Sequence, residues 1–483
     1  MLFFRPYGIY LRVMIRLTRF LLISLFPFCI SAQSNTFRSS LDKYSPESFI
    51  SKANNTDTNQ YLNIDPRIFI LSSLSNKDKT YNTYLLGLNF KSNIKNKLIT
   101  VGSYDYLDGN QNQLIRNYQD SLAIYYPGFG IDNNRFQFNS KYLANNFITV
   151  DIGHGKQFIG DGEESLLLSD VASSYPYLKL TTGFGPVRYY NLYTTFLNPN
   201  MIDYGRKKHA TIHYLDFSIT SRISFGVFES VLWQSKSEEE YNGYELAYLN
   251  PVIFYRPVEF SKKSSKGNTL MGVNFNASLK NITLYGQFML DDLNISRQRD
   301  QDKDYGKGFF QNKYAFQLGL KGQSGDNIDY LIEYNQVQPY TYGHRTILQN
   351  YSHMNQALAH PLGGNFKELI NTLQIRQGDW TYKIKAMIVN VGLDSISTHY
   401  GQNIFESDYQ ASSGGQHSYG NFNGQGVFTT ILFVQPEVSF SLREFDIFAS
   451  IYYREKKSDL LDQTLIFYSL GVRTFPFSFF DIY

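Results

Sequence analysis

A single cysteine, two tryptophans and an almost even balance of charge are what this 483-residue chain shows first by omission. Beyond its amino-terminal segment it has no apolar run near the roughly 20 residues that a membrane-spanning helix needs, which excludes a polytopic helical membrane protein. Aromatics at 17% are too plentiful for a disordered chain, whose composition cannot supply buried area. Charged residues reach only 18%, with a mean hydropathy of −0.32. A largely polar chain that carries 39 Tyr and 39 Phe needs one wet face and one aromatic face, and a sheet provides both.

Residues 15–32 have the order of a secretory signal: Arg16 and Arg19, an apolar stretch from Phe20 to Ile30, then Ile30-Ser-Ala32 as a small-residue cleavage site. Met14 offers an alternative start. The apolar core is too short to anchor the chain across about 30 Å of hydrocarbon. We therefore expect residues 1–32 to be a signal peptide, residues 33–62 a short periplasmic segment or partial plug, and residues 63–483 the folded body. Removing Arg5, Arg12, Arg16 and Arg19 leaves 41 of the 45 bases against 42 acids, so the formal charge of +3 becomes −1. Nothing then favours nucleic acid as a partner. Cys29 leaves with the signal, so thiol and disulfide chemistry leave with it.

Periodicity decides what the body is. Phe136, Phe138 and Tyr142 alternate with Arg135, Gln137, Asn139 and Lys141, placing the rings on one face and the polar groups on the other. The same two-residue rhythm recurs from Met271 to Leu279, Tyr314 to Leu320, Trp380 to Ile388 and Phe445 to Tyr453. Marking every such run predicts about eighteen strands, within a range of 14–18: 66–74, 83–92, 97–107, 135–142, 147–157, 176–184, 187–197, 209–219, 223–232, 270–279, 282–292, 312–322, 328–338, 368–377, 380–391, 427–442, 445–454 and 465–475. Short connections such as Gly185-Pro186, Lys280-Asn281 and Gly378-Asp379 alternate with long ones at 108–134, 158–175, 233–269, 293–311, 339–367 and 392–426. Parity of this kind belongs to an all-β transmembrane antiparallel barrel with short periplasmic turns and long extracellular loops. Closure also leaves no backbone group unpaired in hydrocarbon. The chain end, Phe475 to Tyr483, carries Phe at 475, 477 and 479 and reads as a barrel-assembly signal, with Pro476 awkward for a paired strand.

The long loops hold the unusual residues. Tyr340, Tyr342, His344, Arg345, Tyr351, His353 and His360 lie in 339–367, and their rings and polar groups are the side-chain types that a hydroxyl-rich ligand engages. The bland alternative is that they pack against one another over the barrel mouth. The histidine gaps of nine and seven match no metal-ligand spacing, so neither a metal nor any other cofactor is expected. A barrel hydrolase would need a nucleophile or acid oriented by a base. Residues three apart on a strand face opposite sides, which separates His154 from Asp151 and His213 from Asp216. Asp291-Asp292 reads as a strand emerging into solvent and Glu238-Glu239-Glu240 as a solvated run, so no catalytic residue is assigned and no enzyme is expected.

Several runs are specific beyond composition: Gly153 to Asp170 (GHGKQFIGDGEESLLLSD), Tyr175 to Leu180 (YPYLKL), Tyr248 to Phe260 (YLNPVIFYRPVEF), Tyr285-Gly-Gln-Phe288, Gln338 to His344 (QPYTYGH) and Leu358 to Phe366 (LAHPLGGNF). In these the chain resembles the Wzi-type capsule assembly family, above all its Bacteroidetes members of the gliding-motility RemB type. The likeness is strongest over residues 150–370. It implies an outer-membrane barrel of about eighteen strands, acting either as a surface lectin that retains capsular polysaccharide or in cell-surface movement. Residues 33–62 are too short and too polar to form the helical bundle of the enterobacterial members.

The expectation is thus a non-enzymatic barrel in the outer membrane, in contact with its lipid, whose external loops engage surface polysaccharide, an adhesin or motility components. A diffusion channel or transporter is the alternative.

Overall fold

Side chains that alternate between greasy and wet can satisfy both faces only if the sheet separates two media, and the computed structural model closes that sheet into a barrel. It describes residues 37–39, 60–76, 79–110, 134–199, 206–236, 243, 267–293, 308–395, 398–408 and 419–475. Eighteen antiparallel strands follow one another around the wall: β1 Gln60–Ser75, β2 Thr80–Ile94, β3 Leu98–Asp108, β4 Asn134–Leu143, β5 Ile148–Gly155, β6 Tyr175–Phe184, β7 Val187–Leu197, β8 Lys207–Ser218, β9 Ile223–Gln234, β10 Gly267–Leu279, β11 Ile282–Asp292, β12 Lys313–Ser324, β13 Ile328–Val337, β14 Phe366–Gln377, β15 Trp380–Leu393, β16 Val427–Leu442, β17 Phe445–Ser458 and β18 Asp462–Arg473. β1 pairs with β18 from Phe69↔Arg473 to Ser75↔Phe467, and this closes the ring. All eighteen predicted runs are strands. The largest displacement is at β1, which begins six residues before the run predicted from 66.

The faces fall where periodicity put them. Phe136, Tyr142, Phe275, Leu318, Ile384, Ile388 and Ile447 are exposed on the outside, while Asn139, Asn274, Gln317 and Met387 alternate with them and are buried inside. At the short-turn rim, the tilted rings of Phe147 and Phe184 (centroids 6.2 Å apart) and of Trp380 and Phe440 (4.8 Å) pack together, the interfacial girdle of a membrane barrel. The turns there are tight enough to need positive φ, which Gly185 and Gly378 supply at 57° and 59°.

Two connections depart from the parity: the turn between β1 and β2 and residues 459–461 lie on the long-loop rim but are short, and they flank the β1–β18 seam. No helix among the described residues is long and apolar enough to cross a membrane; the strands do the crossing.

The principal hydrophobic core lies inside the barrel. It joins Ile159, Leu166, Leu167 and Leu168 of the β5–β6 connection to Tyr190, Leu192, Tyr214 and Phe228 of the wall and to Leu358, Ala359 and Leu362 of the β13–β14 connection. A smaller inward cluster of Phe69, Leu71, Leu85, Leu107, Phe448 and Phe475 backs the seam. The Arg67 guanidinium lies 3.7 Å from the Phe475 ring centroid and 2.6 Å from Asp105.

Candidate functional site

The β5–β6 connection, residues 156–174, enters the lumen instead of standing outside, and wall side chains hold its backbone. Gln287 on β11 donates to the Ile159 carbonyl (2.9 Å) and accepts from Leu166 N–H (2.8 Å). Glu333 on β13 accepts from the backbone N–H groups of Glu163 (2.8 Å) and Glu164 (3.1 Å) and from the Tyr285 hydroxyl (2.8 Å). Gln317 on β12 donates to the Glu164 carbonyl at 3.0 Å. A buried irregular segment must find partners for its polar backbone, and these inward side chains are the partners. Burial raises the Glu164 carboxyl well above its ordinary range, and the Glu368 charge adds to the rise. Phe37–Ser39 pairs antiparallel with Gln157–Ile159, bringing part of the amino-terminal segment onto the same inner loop.

The β13–β14 connection caps this inner loop. Tyr342 and Tyr351 donate their hydroxyls to the Leu166 (2.9 Å) and Leu167 (2.7 Å) carbonyls, and Ser169 N–H reaches the Leu358 carbonyl (2.7 Å). Asp291 carries the cap from below: it sits in a β-bulge between Leu290 and Asp292 and accepts from Tyr342 N–H at 2.8 Å. This corrects the reading of Asp291 as a residue emerging into solvent, because the bulge turns it inward and buries it. Lys313 joins the cap to the β15–β16 connection through Gly343 O (2.9 Å) and Asp408 (2.5 Å). Asn365, at φ 60°, is the knot between loops: its amide reaches the Gly392 (2.8 Å) and Gln425 (2.9 Å) carbonyls and accepts from Gly424 N–H (2.8 Å).

Tyr340, Tyr342, Tyr351, His353 and His360 are buried, His344 is half-buried and Arg345 is exposed. His360 meets Glu368 at 2.7 Å with neither side chain exposed, and Tyr340 donates to the His399 carbonyl at 2.9 Å. Leu197 N–H donates to Nδ1 of His353 (2.9 Å), so its proton resides on Nε2, facing the Ser174 carbonyl at 3.3 Å. Burial pushes the His353 imidazole down to about 3, and burial beside Lys313 pushes His344 down to about 4. These polar groups act on the protein itself, joining the cap to the wall. The candidate catalytic pairs are separated as expected: His213 faces outward, bonded to Asn191 (2.6 Å) and Tyr189 (2.8 Å), while Asp216 faces inward. His154 bonds the Phe136 carbonyl at 3.2 Å. The Tyr248–Phe260 run, Glu238–Glu240 and Pro476–Tyr483 lie outside the described residues.

Open, ligand-sized space occurs on the outer flank of the long-loop rim, above β12–β14. There a pocket of about 450 Å³ is lined by Phe310, Asn312, Tyr314, Gln338, Lys367 and Phe422, among others, a volume within the usual range for small-ligand sites. Lys367 alternates with the inward Phe366 and Glu368, so it points out of the barrel into this pocket. Phe422 is 63% exposed, so its ring face is open at the pocket. The floor is firm. Asn423 donates to the Val337 and Phe366 carbonyls and accepts from Gln336, Asn421 donates to Gly308 O, and Phe310 packs edge-on to Tyr340. Sequence reading missed these residues; the run Gly420-Asn-Phe-Asn-Gly-Gln-Gly426, aromatic and amide-rich between glycines, was the available signal.

No protein-family model and no curated protein matches the chain. Among solved structures it is similar to Wzi of Escherichia coli, described as an outer-membrane, carbohydrate-binding β-barrel involved in group 1 capsule assembly. The TM-score is 0.56 at 14% identity, covering 89% of this chain and 87% of that one. Pseudomonas aeruginosa OprD gives 0.45 at 10% identity, covering 85% and 94%. Pseudomonas aeruginosa OccK1 gives 0.46 at 7% identity, covering 86% and 98%. At 14% identity the likeness to Wzi is one of fold, an 18-stranded barrel of the outer-membrane type.

Proposed function

We propose that the protein is an outer-membrane barrel that binds surface polysaccharide at the rim pocket and does not conduct. The observation that carries this reading is the pocket itself. An exposed ring (Phe422), a phenol (Tyr314), an amide (Gln338) and an ammonium (Lys367) converge on a firm floor at the end of the barrel that carries the long connections. A sugar presents an apolar C–H face for stacking and hydroxyls or acidic groups for hydrogen bonds, and this set of side chains answers both. The carbohydrate binding described for Wzi agrees with this reading. Against a diffusion channel stands the inner loop, which occupies the lumen and is bonded to β11, β12 and β13.

The test is retention of polysaccharide isolated from the producing cell's surface by purified protein in detergent. Phe422→Ala and Lys367→Ala should each weaken retention by about tenfold, as expected when a stacking ring or a charge-assisted contact is lost. Unchanged retention in both would remove the pocket from the account. A role in capsule retention or in gliding is then read from a deletion strain scored for both traits.

A further inference from the structure

We propose that Asp394, His399 and Glu406, in the β15–β16 connection, form a site for a first-row divalent ion such as Zn²⁺. Each contributes one ligand atom, and these atoms lie within 4.8 Å of one another. Nδ1 of His399 is 3.0 Å from Asp394 Oδ2 and 3.8 Å from Glu406 Oε2. A ring nitrogen carries at most one proton, so it can satisfy one of the two carboxylates and leaves the other facing a like charge. A divalent ion at the centre removes that conflict, since all three groups can bind it at about 2.0–2.2 Å after small side-chain rotations.

The outer contacts have the character of a metal site's second layer. Asp394 is aimed by the N–H groups of Tyr400 and Asn403. The Asn403 amide holds Glu406 Oε1 at 3.2 Å, turning Oε2 toward the histidine. Tyr340 fixes His399 twice, through its hydroxyl on the carbonyl and through an edge-on ring contact at 5.1 Å. One nitrogen with two carboxylate oxygens suits zinc or manganese better than calcium, which takes six or more oxygens. The spacing of five and seven residues lies in a loop without repeats, which is why the sequence alone assigned no metal.

The consequence is structural. The same strap, residues 399–404, receives Tyr340 N–H at Gly401 O (2.9 Å), Gly364 N–H at Gln402 O (3.2 Å) and the Asn350 amide at Ile404 O (2.8 Å). An ion holding both ends of the strap would lock the cap over the inner loop. The proposal stands apart from polysaccharide binding and is tested without it.

Purified full-length protein in detergent, stripped with chelator, is titrated with ZnCl₂, MnCl₂ and CaCl₂ by calorimetry and by thermal unfolding. Expected are one equivalent of Zn²⁺ bound, a raised unfolding midpoint and little response to Ca²⁺. Glu406→Gln, at a half-exposed position, leaves the apo midpoint equal or slightly higher because it removes the like-charge conflict, and weakens Zn²⁺ by more than about tenfold, and His399→Gln abolishes the site. His344→Gln serves as the control that leaves it intact. Absence of Zn²⁺ and Mn²⁺ binding to the wild-type protein overturns the proposal, as does full-strength binding in Glu406→Gln and His399→Gln.

Discussion

Glu163 and Lys385 meet at 2.7 Å across the inside of the barrel. Glu163 belongs to the connection between β5 and β6, whereas Lys385 stands on β15, nine strands from β6 in one direction and eight from β5 in the other. A contact between nearly opposite walls means that the inner loop crosses the lumen. Its anchors on the way are Gln287, Gln317, Lys321 and Glu333.

From this crossing follows a conductance prediction. Wild-type protein in planar bilayers should be silent, and Glu333→Ala combined with Lys385→Ala should give fluctuating openings. Glu333 alone accepts two backbone N–H groups and a hydroxyl, and stranding buried donors costs about 1–3 kcal/mol each. Steady large conductance in the wild type would defeat the closed-lumen reading.

Asn365→Ala should destabilise the cap by about 2–4 kcal/mol. It strands two carbonyls and an N–H in three places and puts a β-carbon residue without a compensating side chain at φ 60°. Hydrogen exchange of residues 338–365 and 419–426 is the readout, with the barrel strands as the unaffected reference.

The cap should loosen in acid. His353 stays neutral in the folded state because burial holds it down to about 3, while the unfolded imidazole takes up a proton near 6.5. The stability it confers is complete above pH 6.5 and is lost progressively as pH falls toward 3, amounting to about 1.4 kcal/mol one unit below the unfolded value. Protection at residues 350–358, corrected for the pH dependence of the intrinsic exchange rate, should fall between pH 7.5 and 5, and His353→Gln should flatten the fall.

Glu164 has the opposite sign. Its folded carboxyl is raised by burial and by Glu368, so its contribution is most favourable below the unfolded value near 4.5 and declines as pH rises above it. Glu164→Gln should therefore stabilise the inner loop at pH 7.5, by about 1–2 kcal/mol, with no gain at pH 4. Protease protection of residues 156–174 at the two pH values checks this.

The two faces of one strand should answer differently to charge. Ile388→Arg on the outside of β15 should cost about 2–4 kcal/mol in lipid, whereas Lys383→Ala, on the opposite, wet face of the same strand, should cost little. Urea-unfolding titrations in vesicles separate them.

The sequence by itself determined the wall. A period of two is a local property, and runs such as Phe136 to Tyr142 or Trp380 to Ile388 carry it without reference to any distant residue. Strand number, order and outward faces therefore followed from the chain, as did the opposite facing of His213 and Asp216. The tertiary structure alone decided where the long connections go. Whether residues 156–174 stand outside or cross the lumen depends on Gln287, Glu333 and Lys385, which lie more than 100 positions away in sequence. The fate of Tyr342, Tyr351 and His353 as internal ties, and the gathering of Tyr314, Lys367 and Phe422 at one rim, rest on the same cause. Loop contacts have no period to read, because their partners are fixed by closure of the barrel and by the need to satisfy buried backbone groups.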